Sequence, residues 1–154
     1  MHAVKSELAT FFEAFPNGVV FGNTSNGEGY DTVLVGSIAP LHIDVDAVQA
    51  RLDSPEYAPM VTSLREIGFS NAIELFSTFA GNASQLKPWL KDAVVNRDRN
   101  LRLQYLAGLG LNLYQAGPIY TEMVQHRGDP GDLFVGSEET LRKLRAMITN
   151  PPLR

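Results

Sequence analysis

The sequence predicts a mixed α/β chain: a helix and a β-hairpin over residues 1–40 lead into a mostly helical extension over 41–154, as one continuous unit. Three observations carry that prediction. Apolar residues recur at helical spacing from the first positions, two short β-branched runs flank a turn-rich stretch, and from about residue 44 the apolar pattern turns helical again. With 154 residues, 44% of them hydrophobic, the chain has the length of one domain and enough apolar side chain for a core.

Residues 3–15 place Val4, Leu8, Phe11, Phe12 and Phe15 on one helical face, and Pro16 ends the pattern. Helical spacing makes these phenylalanines, with Phe21, core residues before it makes them a pocket. Residues 18–22 (GVVFG) and 31–37 (DTVLVGS) are expected as strands, with Asn23 to Tyr30 as a long hairpin loop. Both runs are almost wholly apolar, so each strand is expected to be covered on both faces. Two strands cannot supply that cover, and an isolated hairpin is marginal in water. Missing sheet neighbours, or a partner chain that supplies them, are therefore implied.

Asp44 or Asp46 is placed to cap IDVDAVQARL, Pro55 to stand in the first turn of a helix reaching Ile67, and Gly68 to stop it. Ser70 is placed to cap NAIELFSTFA, a helix ending at Gly81, and Asn82 to cap a short segment carrying Leu86, Trp89 and Leu90. The connections are a few residues long, which predicts packed antiparallel neighbours. Residues 101–116 are strongly apolar, and Gly108 and Gly110 allow close backbone approach if that segment is helical. Pro118 suits the first turn of a helix through Arg127, stopped by Gly128. Ser137 caps the last helix, in which Glu138 and Glu139 favour the N-terminal dipole and Lys143 and Arg145 the later turns.

Composition narrows the function classes. A net charge of -4 supplies no basic field for phosphate backbones, so nucleic acid is not an expected partner. No cysteine is present, which rules out disulfides, thiolate catalysis and cysteine zinc sites. His2, His42 and His126 have no metal-ligand spacing, so no metal is expected. No run of about 18 apolar residues predicts a membrane span, and no apolar core of a signal peptide follows Met1. The chain reads as cytoplasmic.

Several residues have both a chemical and a plain reading. Gly27-Glu28-Gly29 lacks a third glycine and leads into a strand, so a hairpin turn fits better than a dinucleotide fingerprint. Gly108-Leu109-Gly110 meets the same objection. The cluster Asn96-Arg97-Asp98-Arg99-Asn100 before an apolar run either lines a cleft, with Asp98 and Gln104 binding an amine and Tyr105 donating a hydrogen bond, or forms a solvated loop in which Asp98 offsets Arg97 and Arg99 and caps the next element. His42 lies near Asp44 without a nucleophile motif, which favours a structural role. Trp89, with Leu86 and Leu90, is an aromatic floor for a ligand or, more simply, a core or interface anchor.

Residues 11–23 (FFEAFPNGVVFGN), then 29–36 (GYDTVLVG), resemble the late region of spermidine-synthase-like proteins, the polyamine aminopropyltransferases, which are relatives of the class I methyltransferases. In that family a helix ending in a similar motif leads into the final antiparallel hairpin of a Rossmann-like sheet. Residues 95–105 (VNRDRNLRLQY) resemble a later polar stretch of the family and depart from it at Arg97, Arg99 and Gln104. The similarity runs over most of residues 4–125.

The resemblance implies a parent activity in which a polyamine nitrogen attacks a sulfonium-activated carbon, the C–N bond forming as the C–S bond breaks and a base taking the amine proton. It implies decarboxylated S-adenosylmethionine, or S-adenosylmethionine, held at a Gly-rich loop, and an Asp-bearing loop that positions the amine. Neither loop is found in this sequence, so no cofactor and no catalytic residue are expected in the chain itself. On this reading the chain is a C-terminal portion inactive alone, Met1 is an internal methionine, and the partner is the missing cofactor-binding half or a homodimer mate. Asp98, Gln104 and Tyr105 are then substrate contacts. Two alternatives stand beside it: a non-catalytic interaction or dimerisation module, and part of a methyltransferase with another acceptor.

Overall fold

In the computed structural model, which describes residues 1–25, 28–110 and 116–150, the chain divides after Pro40, Phe79 and Gly128 into two units. Unit 1 begins with α1 (His2–Ala14), β1 (Val19–Ser25) and β2 (Glu28–Val35). Unit 2 takes over with β3 (Ile43–Asp44), α2 (Val45–Leu52), a 3-10 turn (Pro55–Tyr57), α3 (Ala58–Glu66) and α4 (Ala72–Phe76). Strand β4 (Phe79–Asn82) carries the chain back to unit 1, followed by α5 (Ala83–Leu86), α6 (Arg102–Gly110) and α7 (Ala116–Val124). A second 3-10 turn (Gly131–Leu133), β5 (Phe134–Val135) and α8 (Glu138–Thr149) complete unit 2. The architecture is mixed α/β with a small sheet of order β2-β1-β4 and a parallel two-stranded pair β3-β5. No helix among the described residues is long and apolar enough to cross a membrane.

The hairpin is longer than its apolar runs. β1 and β2 pair antiparallel from Val19↔Val35 through Asn23↔Asp31, then slip by one residue and continue through Thr24↔Gly29 and Ser25↔Glu28. The stretch expected as a long loop is therefore mostly strand. Main-chain pairing needs no apolar side chain, so a ladder set by Val19–Phe21 against Val33–Val35 extends into polar residues, with a bulge absorbing the extra residue. Residues 26–27, and with them the first glycine of Gly27-Glu28-Gly29, lie outside the described residues.

Cover on both faces holds for β1 and fails for β2. Val19 and Val20 are buried, whereas Val33 is 57% exposed and Val35 37%. The cause is topological. β4 is the neighbour on the far side of β1, leaving β2 at the edge, and α7 packs on β2 from one side. That packing is close at Gly22, where a Cβ would stand 2.2 Å from the Tyr120 ring.

The core of unit 1 joins Leu8, Val20, Ala80, Leu86, Trp89 and Met123, with Val4, Phe12, Leu34 and Ile119 against it. Helix α1 meets this core through an unexpected set: its buried residues are Lys5, Ser6 and Leu8. Lys5 is tolerated because its ammonium lies 2.8 Å from Asp92 and 5.3 Å from the centroid of Trp89. Phe15, expected in the core, is exposed instead, with its ring over Gly36. It lies beyond the last helical turn, so helical periodicity no longer fixes its direction.

In unit 2 the two candidate caps divide their labour. Asp44 caps α2 by accepting from the Ala47 amide, while Asp46 accepts from the Ser137 amide and the Thr140 hydroxyl at the start of α8. Ser137 itself caps α8. The helix expected from Pro55 to Ile67 is broken at Tyr57, because Pro59 has no N–H to return to the Pro55 carbonyl; Pro59 then occupies the first turn of α3, and Gly68 ends it at φ 89. Asn71, not Ser70, caps α4, and the helix expected to reach Gly81 stops at Phe76. Phe79 turns instead into β4 and is fully buried, 6.0 Å from the ring of Phe134, which also meets Phe76 at 5.5 Å. In unit 1, the apolar segment 101–116 is helical in α6 as far as Gly110; its residues 111–115 lie outside the described residues. α7 ends at Val124, three residues short of expectation, and the chain tightens through i→i+3 bonds at His126 and Arg127.

Candidate functional site

Unit 1 holds a cleft of about 240 Å³ between α1, β2 and α7. Helix α1 contributes Val4, Glu7 and Leu8, which share a face because they are spaced i, i+3 and i+4. From β2 come Asp31, Thr32 and Leu34, with Thr32 and Leu34 on one face by the period of two. Helix α7 adds Ala116, Ile119, Tyr120 and Met123, again one helical stripe.

The cleft has an apolar wall and an acidic rim. Val4, Leu8, Leu34, Ile119 and Met123 form the wall, while Glu7 and Asp31 are exposed to solvent. Asp31 also accepts a hydrogen bond from the Thr32 amide at 2.7 Å. Burial pushes the Tyr120 phenol above its ordinary pKa, against the opposing effect of nearby Arg127, so Tyr120 keeps its proton at neutral pH and can donate it in a hydrogen bond. No Lys or Arg lines the cleft among the described residues. The charged groups of the lining itself are both carboxylates, and a ligand with an aliphatic body and a cationic end matches them chemically.

Asp98, Gln104 and Tyr105 are all exposed, and none of them lines this cleft. Asp98 stands in the turn before α6, and Gln104 and Tyr105 on the helix, Tyr105 68% exposed. The cap that Asp98 offered as its plainer role belongs to the asparagines. Asn100 Oδ1 accepts from the Arg97 and Arg102 amides, and Asn96 Oδ1 from the Leu103 amide at 2.9 Å. Arg97 pairs with Glu13 of α1 at 2.7 Å, so the polar cluster ties the start of α6 to α1.

Trp89 is a core anchor, 3% exposed, with its indole N–H donating to Glu122 at 2.9 Å. His42 Nδ1 lies 2.8 Å from the Asp132 carbonyl in unit 2. No cluster of three metal-ligating side chains occurs among the described residues.

In unit 1 β4 passes into α5 at Asn82, which caps the helix, and Gly81 before it is packed by Leu86, 3.0 Å from the place of a Cβ.

Glu7, Asp31 and Tyr120 escaped the sequence reading because each has an ordinary local explanation: a polar residue beside a helical apolar stripe, a strand opener, an aromatic after Pro118. Only the packing of three separate elements brings them together. The chain matches no family model, no curated protein and no solved structure.

Proposed function

We propose that this chain is a non-catalytic, amine-binding part of an aminopropyltransferase-like protein of polyamine synthesis, and that the unit 1 cleft receives the amine. The observation that carries the reading is the pairing of an aliphatic wall with two rim carboxylates and no cation among its lining residues. A linear amine would lay its methylenes along Val4, Leu34 and Ile119, hold its ammonium between Glu7 and Asp31, and take a hydrogen bond from Tyr120. The resemblance of residues 11–36 to the aminopropyltransferases supplies the reaction class. On this reading the aminopropyl donor and the proton acceptor come from another segment or chain.

Calorimetric titration with a linear diamine tests the cleft, with the diol of equal length as control. The diamine binds and the diol does not, and added salt weakens the diamine. Glu7→Gln and Asp31→Asn each weaken it about two- to fivefold, the scale of a solvent-exposed charge contact. Equal binding of diol and diamine, or an affinity indifferent to both substitutions, would sink the reading. The chain alone, given decarboxylated S-adenosylmethionine and diamine, is expected to form no aminopropyl product; turnover would overturn its non-catalytic part.

A further inference from the structure

β2 lies at the edge of its sheet, with β1 its one strand neighbour among the described residues, and the direction of its peptide groups can be read from one bond. The Asn17 amide donates to the Ser37 carbonyl at 3.0 Å, which extends the β1–β2 ladder by one more hydrogen-bonded pair. Antiparallel pairs alternate between hydrogen-bonded and non-bonded, so Val35 and Val33 point their peptide groups at β1. The peptide groups of Thr32, Leu34 and Gly36 therefore point outward. Thr32 agrees: its amide is taken by the carboxylate of its own neighbour, Asp31, at 2.7 Å. That carboxylate blunts one end of the edge. Beyond it, residues 32–36 carry no Lys, Arg or Pro of the kind that guards open strands.

We propose that β2 is the interface of a two-fold dimer of this chain, in which β2 pairs antiparallel with β2 of a second copy about an axis at Leu34. In this register Leu34 meets Leu34 of the copy and Thr32 meets Gly36, whose amide donates to the Thr32 carbonyl while the Thr32 amide stays with Asp31. On the solvent face Val33 stands against Val35 of the copy and Val35 against Val33, covering side chains that are 57% and 37% exposed. Asp31 stands against Ser37, whose hydroxyl donates to the Ala39 carbonyl. The two Asp31 carboxylates lie six residue steps apart, about 20 Å, beyond the screening length of about 8 Å at physiological salt. Sliding one pair either way sets Val35 against Asp31 or Val33 against Ser37. The strand is thus self-complementary in one register, as an isologous contact requires. Val33 and Val35 do not line the cleft, although Asp31, Thr32 and Leu34 of the same strand do, so the test substitutions are confined to the two valines.

Sedimentation equilibrium over two decades of concentration is the test, with circular dichroism confirming that each variant folds. The wild-type chain is expected to dimerise. Val33→Lys, which places a charge opposite valine on the edge, raises the dissociation constant about tenfold or more. Val33→Lys combined with Val35→Glu restores dimerisation, because each introduced lysine then faces an introduced glutamate of the copy. A wild-type monomer throughout, including one whose β2 pairs with a different chain, overturns the proposal. So does a dimer indifferent to Val33→Lys, or a folded double variant that stays monomeric. Should Val33→Lys fail to fold, amide exchange of wild-type Leu34 and Gly36 decides. Protection that grows with concentration supports the dimer, and protection independent of it refutes it.

Discussion

Lys5 shows how one side chain can defeat periodicity. It is 8% exposed on a helix face that the sequence assigns to apolar residues, and it survives there by running its stem past Trp89 to Asp92. The two partners are unequal: Asp92 is 48% exposed, the lysine side chain 10%. Removing the carboxylate leaves a nearly buried ammonium with only a ring face for company, whereas removing the ammonium leaves a carboxylate that water can solvate. Asp92→Ala is therefore expected to lower the melting temperature at neutral pH more than Lys5→Met, whose unbranched stem keeps the packing on Trp89. Thermal unfolding followed by circular dichroism checks the order, and the reverse order would show that the pair is not what holds Lys5 inside. Nothing in the sequence marked this residue, because its partner is remote in the chain and the two meet only after folding.

At the scale of elements, the hairpin and its covering helix explain what was readable and what was not. The strands of the hairpin were legible from their β-branched runs, as were the caps at Asp44, Asn82 and Ser137 and the stop at Gly68, since each of these signals is local. The edge position of β2 was not, because it depends on β4, whose Phe79 and Ala80 read as the end of a helix. The seat of α7 depends likewise on a non-local coincidence, the absence of a side chain at Gly22 beneath Tyr120. A methyl at that point would overlap ring atoms at 2.2 to 2.7 Å, and the ring is held between sheet and helix. Gly22→Ala is expected to cost about 1–3 kcal/mol, the usual range for overpacking. Adding Tyr120→Leu should recover part of that loss by shortening the side chain, and adding Tyr120→Phe should not, since the ring remains. Denaturant unfolding of the three variants measures this, and an equal effect of the leucine and phenylalanine changes would point to strain elsewhere in β1.

For the whole molecule, the α/β class and the helical character after residue 44 were visible, but not the division in which residues 41–79 and those after 128 form one unit while 1–40 and 80–128 form the other. Contiguous reading hides such interleaving, because no composition shift marks Phe79 or Gly128. The two units nonetheless share an electrostatic trait. Asp92 in unit 1 is held below the ordinary carboxylate pKa chiefly by its hydrogen bond from Lys5, and Asp46 in unit 2 chiefly by the Thr140 hydroxyl, then by the Ser137 amide. A carboxylate with a depressed folded-state pKa binds its proton more weakly than in the unfolded chain, so its stabilisation is full above the unfolded value near 3.9 and is lost as pH falls through the folded one. Self-repulsion acts in the same direction, since protonating the 17 carboxylates leaves 13 Lys and Arg and 3 His uncompensated. Stability is therefore expected to stay level near neutrality and to fall below about pH 5 in both units. Trp89, the sole tryptophan, reports unit 1 by its emission, and amide exchange in α8 reports unit 2. Lys5→Met should flatten the acid limb seen by Trp89, because Asp92 then loses the chief cause of its lowered pKa, and Thr140→Val should flatten the limb seen in α8 by removing the first support of Asp46. If wild-type protection held level or rose down to pH 3, these carboxylates would not be coupled to folding, and the hydrogen bonds at Asp46 and Asp92 would have to be fully exchangeable with water.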